Sequence, residues 1–450
     1  MGKIINPATE EVIADLASAT PDHLEAAVGA ATKALPEWRA VAPSDRARLL
    51  RRMATLVEEH GEHLARLETA NVGKPISDAR AEVGMVAEVF HYYAGAIDKH
   101  RGETIPVAGG VDFTLREPLG VVGLITPWNF PLNIASWKVA PALACGNTVV
   151  LKPAEITPLT SVRLGEMAVE AGVPEGVVNV VVGSGRTVGQ RLVEHPAVAK
   201  IAFTGSTEVG RRVMQGAAGT IKRVTLELGG KSANVVFADA DLEEAARSAP
   251  YAVFANAGQD CCARSRILVE RPAYDRFVEL LVEATAKLVV GDPADSATEM
   301  GPLISAEQRA KVASYVDGNV AFSGSAPEGR GFWFPPTLLA PVAHDERVAQ
   351  EEIFGPVACV IPFDDEAAAI EIANATPYGL SGSIWTRDGA RALRVARGID
   401  SGVLSVNSNT SVRPSTPFGG FKQSGFGREL GMQGLDGYSE VKNVYYSTGV

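Results

Sequence analysis

Apolar residues recur at i, i+3 and i+4 over Asp22–Trp38, Ser44–Thr69 and Asp78–Ile97. This spacing predicts amphipathic helices through the first hundred residues. Asp22 and Ser44 are candidate N-caps, because their side-chain oxygens can accept orphan backbone N–H groups. Gly110–Pro118 then reads as a short extended arm. From Val121 the pattern changes to short, nearly continuous apolar runs. VVGLIT at 121–126, NTVVLK at 147–152, VNVVVG at 178–183, KIAFTG at 200–205 and RVTLEL at 223–228 read as strands. Helical spacing returns between them over Leu159–Ala171, Thr187–Glu194 and Thr207–Ala217. Apolar strands alternating with helices predict a parallel sheet covered on both faces.

A second α/β stretch follows. Its clearest strands are RILVE, ACVIPF, SGSIWT and GVLSVN, with helices over Tyr274–Leu288, Asp365–Asn374 and Gly389–Arg397. VKNVYYST near the end is a separate β-prone tail. The expected fold class is α/β, with two open parallel-sheet lobes, a cleft between them and a small β arm.

Composition narrows the function. The 450 residues carry 42 Lys+Arg against 53 Asp+Glu, a formal charge of −11, which argues against a polyanionic or anionic-membrane partner. Gly is 45 of 450, and without a G-X-Y period these residues belong at turns and close backbone approaches. The cysteines are Cys145, Cys261, Cys262 and Cys359; none makes a C-x-x-C pair and no Cys/His cluster has zinc spacing. No metal is therefore expected. Four isolated thiols in a long chain suit a reducing compartment. MGKIINPATEEV has neither a secretory apolar core nor a myristoylation context, and no apolar run approaches a membrane span, so a cytoplasmic location is expected.

Several motifs carry candidate chemistry. GSGRTVG at 183–189 and FTGSTEVG at 203–210 each join a strand to a helix, where free N–H groups can meet phosphate. The first is one residue longer than the dinucleotide fingerprint, and the second lacks the Lys-Ser/Thr of a P-loop. Either could simply be a tight turn. In NAGQDCCARSR, Cys261 and Cys262 lie among Gln259, Asp260, Arg264 and Arg266, whereas Cys145 and Cys359 sit in apolar surroundings. A thiolate stabilised there would be a nucleophile. Glu227, in an apolar strand before Gly229-Gly230, suits a general base with a raised pKa or a strand-end cap. Asn129 in TPWNFPL can aim an amide at an oxyanion, and Lys152 and Glu155 leave a strand end where open α/β sheets bind ligands.

The order of these motifs resembles the aldehyde dehydrogenase superfamily over nearly the whole length. The resemblance rests on TPWNFP, LKPAE, FTGSTEVG, LELGGKS, NAGQDC, EEIFGPV and PFGGFKQSGFGRE. It implies a Rossmann-like cofactor domain over 1–99 and 119–229 with 425–436. It also implies a catalytic domain over 230–424 and an oligomerisation arm over 100–118 and 437–450. Cys261 becomes the nucleophile, Glu227 the general base, and Asn129 with the Cys261 N–H the oxyanion hole. Lys152 and Glu155 match residues at the adenosine ribose, Gly205 and Ser206 the pyrophosphate turn, and Glu352 the nicotinamide ribose. Phe354 would pack near the nicotinamide, with Trp128 and Gly185 lining the cleft. Lys138 is similar to a lysine near the site. NAD is implied over NADP, since Glu155 would accept from a free ribose diol and repel a 2′-phosphate, an effect Lys152 would partly offset. Two departures are a short N-terminal preamble and the altered Gly turn.

The resemblance implies oxidation of an aldehyde to the acid. Cys261 would form a thiohemiacetal, the nicotinamide would supply the redox chemistry, and water activated by Glu227 would hydrolyse the thioester. The implied substrate tunnel includes Phe130, Asn133, Ile134, Trp137, Asp260, Cys262 and the loop Ser408–Phe418 with Arg413 and Phe418. Asp260 would favour a cationic end, as in ω-amino aldehydes; Arg413 would favour a carboxylate; either could be a solvated rim charge. An aliphatic aldehyde is also open. Two other functions are a CoA-acylating semialdehyde dehydrogenase, against which Glu227 argues, and a non-catalytic crystallin-like member. The latter would be expected to lose Cys261, Glu227 or Asn129. A homodimer or homotetramer is expected, acting on a small molecule, with no nucleic acid or membrane partner.

Overall fold

The computed structural model describes residues 2–449. Five parallel strands form the first sheet, in spatial order Arg223–Glu227, Val198–Thr204, Val121–Ile125, Thr148–Lys152, Val178–Val180. Numbered along the chain, this is the 3-2-1-4-5 order of a doubly wound fold read from its other edge. Gly425–Phe426 adds a short antiparallel edge beside Arg223–Glu227. Val121–Ile125 and Thr148–Lys152 are buried at every position, which explains their lack of polar alternation.

The second sheet runs Val320–Ser323, Thr337–Leu339, Val357–Phe363, Arg266–Glu270, Ala233–Val236, Ser381–Trp385, Val403–Val406. Only its first strand is antiparallel. Each large sheet has its own apolar core: Val235, Phe237, Phe277 and Phe363 belong to one, Leu124, Val149, Leu151 and Leu164 to another. A third sheet pairs Ser439–Ser447 with Gly110–Pro118, which also pairs with Thr104–Ile105. Among the described residues, no helix is long and apolar enough to cross a membrane.

The amino-terminal region departs from its helical expectation. It opens with a hairpin, Gly2–Ile5 against Val12–Leu16, of whose residues only Ile4 is fully buried. The first helix, Pro21–Ala40, is capped by Thr20 and not Asp22; Asp22 instead lies in the first turn, where a carboxylate favours the helix dipole. Ser44 is not a cap either. Pro43 starts the next helix, behind Ala42, which makes no side-chain cap. The predicted helix over 44–69 is two, Pro43–Glu59 and Gly61–Val72, because His60 leaves the helical region between them. Helices Pro131–Ala144 and Leu242–Phe254 lie outside the predicted segments, the second despite an apolar stripe through Ala245, Ala246, Ala249 and Val253. The first is buried at all its positions, so it has no polar face to create a period.

Candidate active site

A cleft of about 980 Å³ opens where the first sheet reverses its winding, between Val121–Ile125 and Val198–Thr204. This is the switch point at which doubly wound sheets bind ligands. The ends of three strands supply its wall: Thr126–Phe130, Lys152 with Ala154–Ile156, and Thr204–Ser206. Ser206 caps the helix Thr207–Ala218, its Oγ accepting from Val209 N at 3.4 Å. Gly210 brings that helix onto the sheet, since a Cβ there would strike the Leu228 side chain. The GSGRTVG turn lies after the edge strand Val178–Val180, not after the first strand, and Gly185–Gly189 is one π-helical turn. Gly185 N donates to Glu155 Oε2 at 3.4 Å, so this turn faces the exposed Glu155. Burial lowers the Lys152 ammonium, whose Nζ donates to Pro153 O at 2.9 Å.

Cys261 lines the same cleft. The loop carrying it is tightly held. Asn256 and Ala257 have φ of 50° and 55°, a left-handed geometry costly without glycine. Gly258 follows with φ +70°, and a Cβ there would collide with the carbonyl of Gly355. Gln259 is fully buried: its Oε1 accepts from Ile304 N at 2.8 Å and its Nε2 donates to Asn256 O at 3.0 Å. Its carbonyl accepts from Asn129 Nδ2 at 2.9 Å. Across the cleft, Glu352 Oε1 accepts from Gly230 N at 2.9 Å, and burial raises its carboxyl. Phe354, at φ +59°, meets Trp128 edge-on with centroids 5.2 Å apart. Gln308 Nε2 holds that turn through Phe354 O at 2.7 Å.

Glu227 ends its strand in a buried position, and neither carboxylate oxygen has a protein hydrogen-bond partner. Burial, then the like charge of Glu429, pushes its carboxyl well above the usual range. Glu429 is itself buried and bonded to Lys138, which is fully enclosed. Hydrogen bonding with the Cys262 side chain, followed by burial, raises the Cys261 thiol. A thiol nucleophile, an amide donor and an unpartnered raised carboxylate suit acyl transfer to and from sulfur.

The model of the aldehyde dehydrogenase family matches residues 2–444. The chain belongs to this family. It is 44% identical to the betaine aldehyde dehydrogenase of Bacillus subtilis (strain 168) over 459 residues, covering 99% of this chain and 94% of that relative. It is also 44% identical to an aldehyde dehydrogenase of Aspergillus niger, covering 99% and 91%. The crystal structure of betaine aldehyde dehydrogenase from Staphylococcus aureus in complex with NAD+ superposes with a TM-score of 0.97 at 40% identity, covering 100% of this chain and 92% of that one.

In this aldehyde dehydrogenase, Trp128, Asn129, Phe130, Lys152, Glu155, Gly185, Gly205, Ser206, Cys261, Glu352 and Phe354 all line one cleft. The remaining candidates lie elsewhere. Trp137 is buried, with its indole N–H on Asn133 Oδ1 at 2.9 Å and Phe418 edge-on at 5.1 Å. Asp260 is half-buried, and its Oδ1 accepts from Cys262 N at 2.8 Å. Arg413 is exposed. Arg186 of the GSGRTVG turn also lines the cleft, as do Gln308, Lys311 and Arg212, which had no motif of their own. Gln308 and Lys311 share one helix, Ala306–Ala313, whose i, i+3 spacing is their only sequence signal.

Proposed function

We propose that the protein oxidises an aldehyde to its carboxylic acid with NAD, through a covalent adduct on Cys261. The observation that carries this is the shared cleft, lined by Cys261 and Asn129 together with the βα turns at Lys152–Glu155 and Gly205–Ser206. The cradle fits a dinucleotide. A helix N-terminus with a Ser cap suits a pyrophosphate, exposed Glu155 suits a free ribose diol, and the half-buried Glu352 carboxylate suits a second ribose. NADP fits less well, because Glu155 would face its 2′-phosphate. Bound NAD supplies hydride acceptance.

The chain's residues do the rest. Cys261 Sγ attacks the carbonyl carbon, and the oxyanion is held by the Asn129 amide and the Cys261 N–H. After oxidation the acyl group remains on sulfur as a thioester. Glu227, once ionised, takes a proton from water as it attacks that thioester, and the acid leaves with Cys261 restored. The unpartnered Glu227 oxygens support this role over CoA-dependent thiolysis. Cys261 and Asn129 line one cleft and Glu227 directly precedes its lining residues Leu228 and Gly229, and retention of all three argues against a non-catalytic member.

For substrate we infer a small aldehyde with a cationic end. Asp260 adjoins the nucleophile, and Trp137 and Phe418 share an apolar cluster with Cys261 and Cys262. Betaine aldehyde dehydrogenases among the relatives support this. The test is kcat/KM with NAD over amino, trimethylammonio, carboxylate and plain aliphatic aldehydes. The cationic aldehydes should lead, and equal rates would overturn the substrate class. No reduced NAD with any aldehyde would overturn the reaction.

In the same proposal, 1–99 and 119–229 with 425–436 bind the cofactor, 230–424 is catalytic, and 100–118 with 437–450 forms an oligomerisation arm. Met1 and Val450 lie outside the described residues. The arm strands expose Val111, Leu115, Val441, Tyr445 and Tyr446, a strand surface that invites a second copy. Light scattering should show a dimer or tetramer. The four free thiols support a cytoplasmic location.

A further inference from the structure

Asp260, Cys261 and Cys262 are adjacent in sequence, and their ligating atoms converge. The carboxylate oxygen and the two Sγ atoms all lie within 4.8 Å of one another. The turn forces this. Asp260 Oδ1 reaches back to the N–H of Cys262 at 2.8 Å, which folds the two side chains at its ends toward each other. Cys262 is buried and Cys261 half-buried beside it, so the two thiols sit at the inner and outer sides of one turn. Arg264 Nη1 fixes the outgoing chain by donating to Cys262 O at 2.9 Å, and Nη2 reaches Ser411 Oγ at 2.9 Å.

We propose that Asp260, Cys261 and Cys262 form an inhibitory site for a thiophilic divalent cation such as Zn²⁺. Zn–S bonds of about 2.3 Å and Zn–O bonds of about 2.0–2.2 Å place tetrahedral donors about 3.5–3.8 Å apart. The observed convergence, within 4.8 Å, lies close to that spacing. Two sulfurs and one carboxylate select Zn²⁺, Cd²⁺ or Co²⁺ over Mg²⁺ and Ca²⁺, which prefer oxygen. Binding is balanced as metal plus two thiols giving two metal–thiolate bonds, with two protons released to solvent. Three protein ligands leave a fourth position, and Cys261 faces the cleft, so water fills that position. A metal there uses the Cys261 lone pair that attacks the carbonyl, so it competes with the reaction. Adjacent cysteines lack any familiar zinc spacing, and the motif carries no metal signal at the level of sequence.

The inhibitory clause rests on the proposed dehydrogenase reaction; the binding clause does not. The test therefore has two readouts on the full-length protein. Co²⁺ is added without aldehyde or NAD, and its thiolate charge-transfer absorbance is read. Zn²⁺ inhibition is then measured in a chelator-buffered assay, each variant being scored against its own uninhibited rate. Wild type should show the Co²⁺ band, and Cys262→Ala and Cys262→Ser should each lose at least half of it. Both should need at least tenfold more Zn²⁺ for half inhibition, Mg²⁺ should not inhibit, and EDTA should restore the wild-type rate. Absence of the band in wild type overturns the site whatever the enzyme does. A band or Zn²⁺ sensitivity unchanged in Cys262→Ser also overturns it. If no aldehyde is turned over at all, the reaction fails and the Co²⁺ band alone decides the site.

Discussion

The side-chain amide of Asn129 donates to the carbonyl oxygen of Gln259 at 2.9 Å, two residues before Cys261. One amide hydrogen is thereby committed to aligning the Cys261 loop, and the second is free for an oxyanion. Asn256 Nδ2 closes the arrangement by donating to Asn129 O at 3.1 Å. Asn129→Ala removes both the donor and the alignment. We expect kcat to fall about 100- to 1000-fold with an unchanged fold, as loss of one oxyanion donor does elsewhere. Steady-state kinetics and circular dichroism check this. A variant within threefold of wild type would remove Asn129 from the oxyanion hole.

In the proposed reaction Glu227 works only as the carboxylate, so its raised pKa would set the acidic limb of the rate. Burial is the larger cause, and the Glu429 charge the next. Glu429→Gln deletes that like charge and releases Lys138 from its ion pair, leaving a cation near Glu227. Both changes favour the ionised form. The acidic limb of kcat should therefore move to lower pH. A limb that stays fixed or moves up would show that Glu429 does not govern Glu227.

Much of this site was legible along the chain because doubly wound sheets place ligands at strand ends. Asn129, Lys152, Glu155 and Ser206 each follow an apolar run, so their positions came with the strand assignments. What stayed hidden depends on contacts between distant segments. Lys138 and Glu429 are 291 residues apart, and no local pattern pairs them. Gln259 reads as part of a motif, but its partners Ile304 and Asn129 come from other elements. The hairpin Gly2–Ile5/Val12–Leu16 is too short and too exposed to show a clear period-2 alternation. Thr20 won the first cap over Asp22 because Pro21 suits the first helical position, so the helix starts before the aspartate.

Glu155 bears on cofactor choice. It is exposed beside the Gly185 turn, where a ribose diol would lie under the proposed binding. Near a protein surface, one charge facing a 2′-phosphate contributes about 1–2 kcal/mol of repulsion. Glu155→Gln should narrow the ratio of kcat/KM for NAD over NADP by roughly tenfold. Most of the change should fall in KM for NADP. An unchanged ratio would place the adenosine ribose elsewhere.

Gly258 is constrained twice, by φ +70° and by the Gly355 carbonyl against its α-carbon. The segment it touches carries Phe354, and its own segment carries Cys261. Gly258→Ala must shift one loop against the other. We expect a loss of about 1–3 kcal/mol in unfolding free energy and at least a tenfold fall in kcat. Gly329→Ala is the control, since it also has positive φ but meets nothing within 4 Å. It should lower stability and leave kcat intact.

Lys200 gives a pH signature in stability independent of catalysis. Its ammonium is buried at 1% exposure, donates to Thr225 Oγ1 at 2.5 Å and lies 4.9 Å over the Tyr438 ring. Burial is the main cause that lowers it from 10.5 to about 7. The folded chain thus binds fewer protons here than the unfolded chain between about pH 7 and 10.5. Stability from this group is full above the unfolded pKa and is lost as pH falls through the folded value. Lys200→Met keeps the length and removes the titration. The wild-type stability, relative to Lys200→Met, should rise with pH between 8 and 10, by about 1.4 kcal/mol per pH unit. Urea denaturation of both proteins across that range measures it. A difference that is flat with pH would mean that Lys200 keeps its ordinary protonation inside the fold.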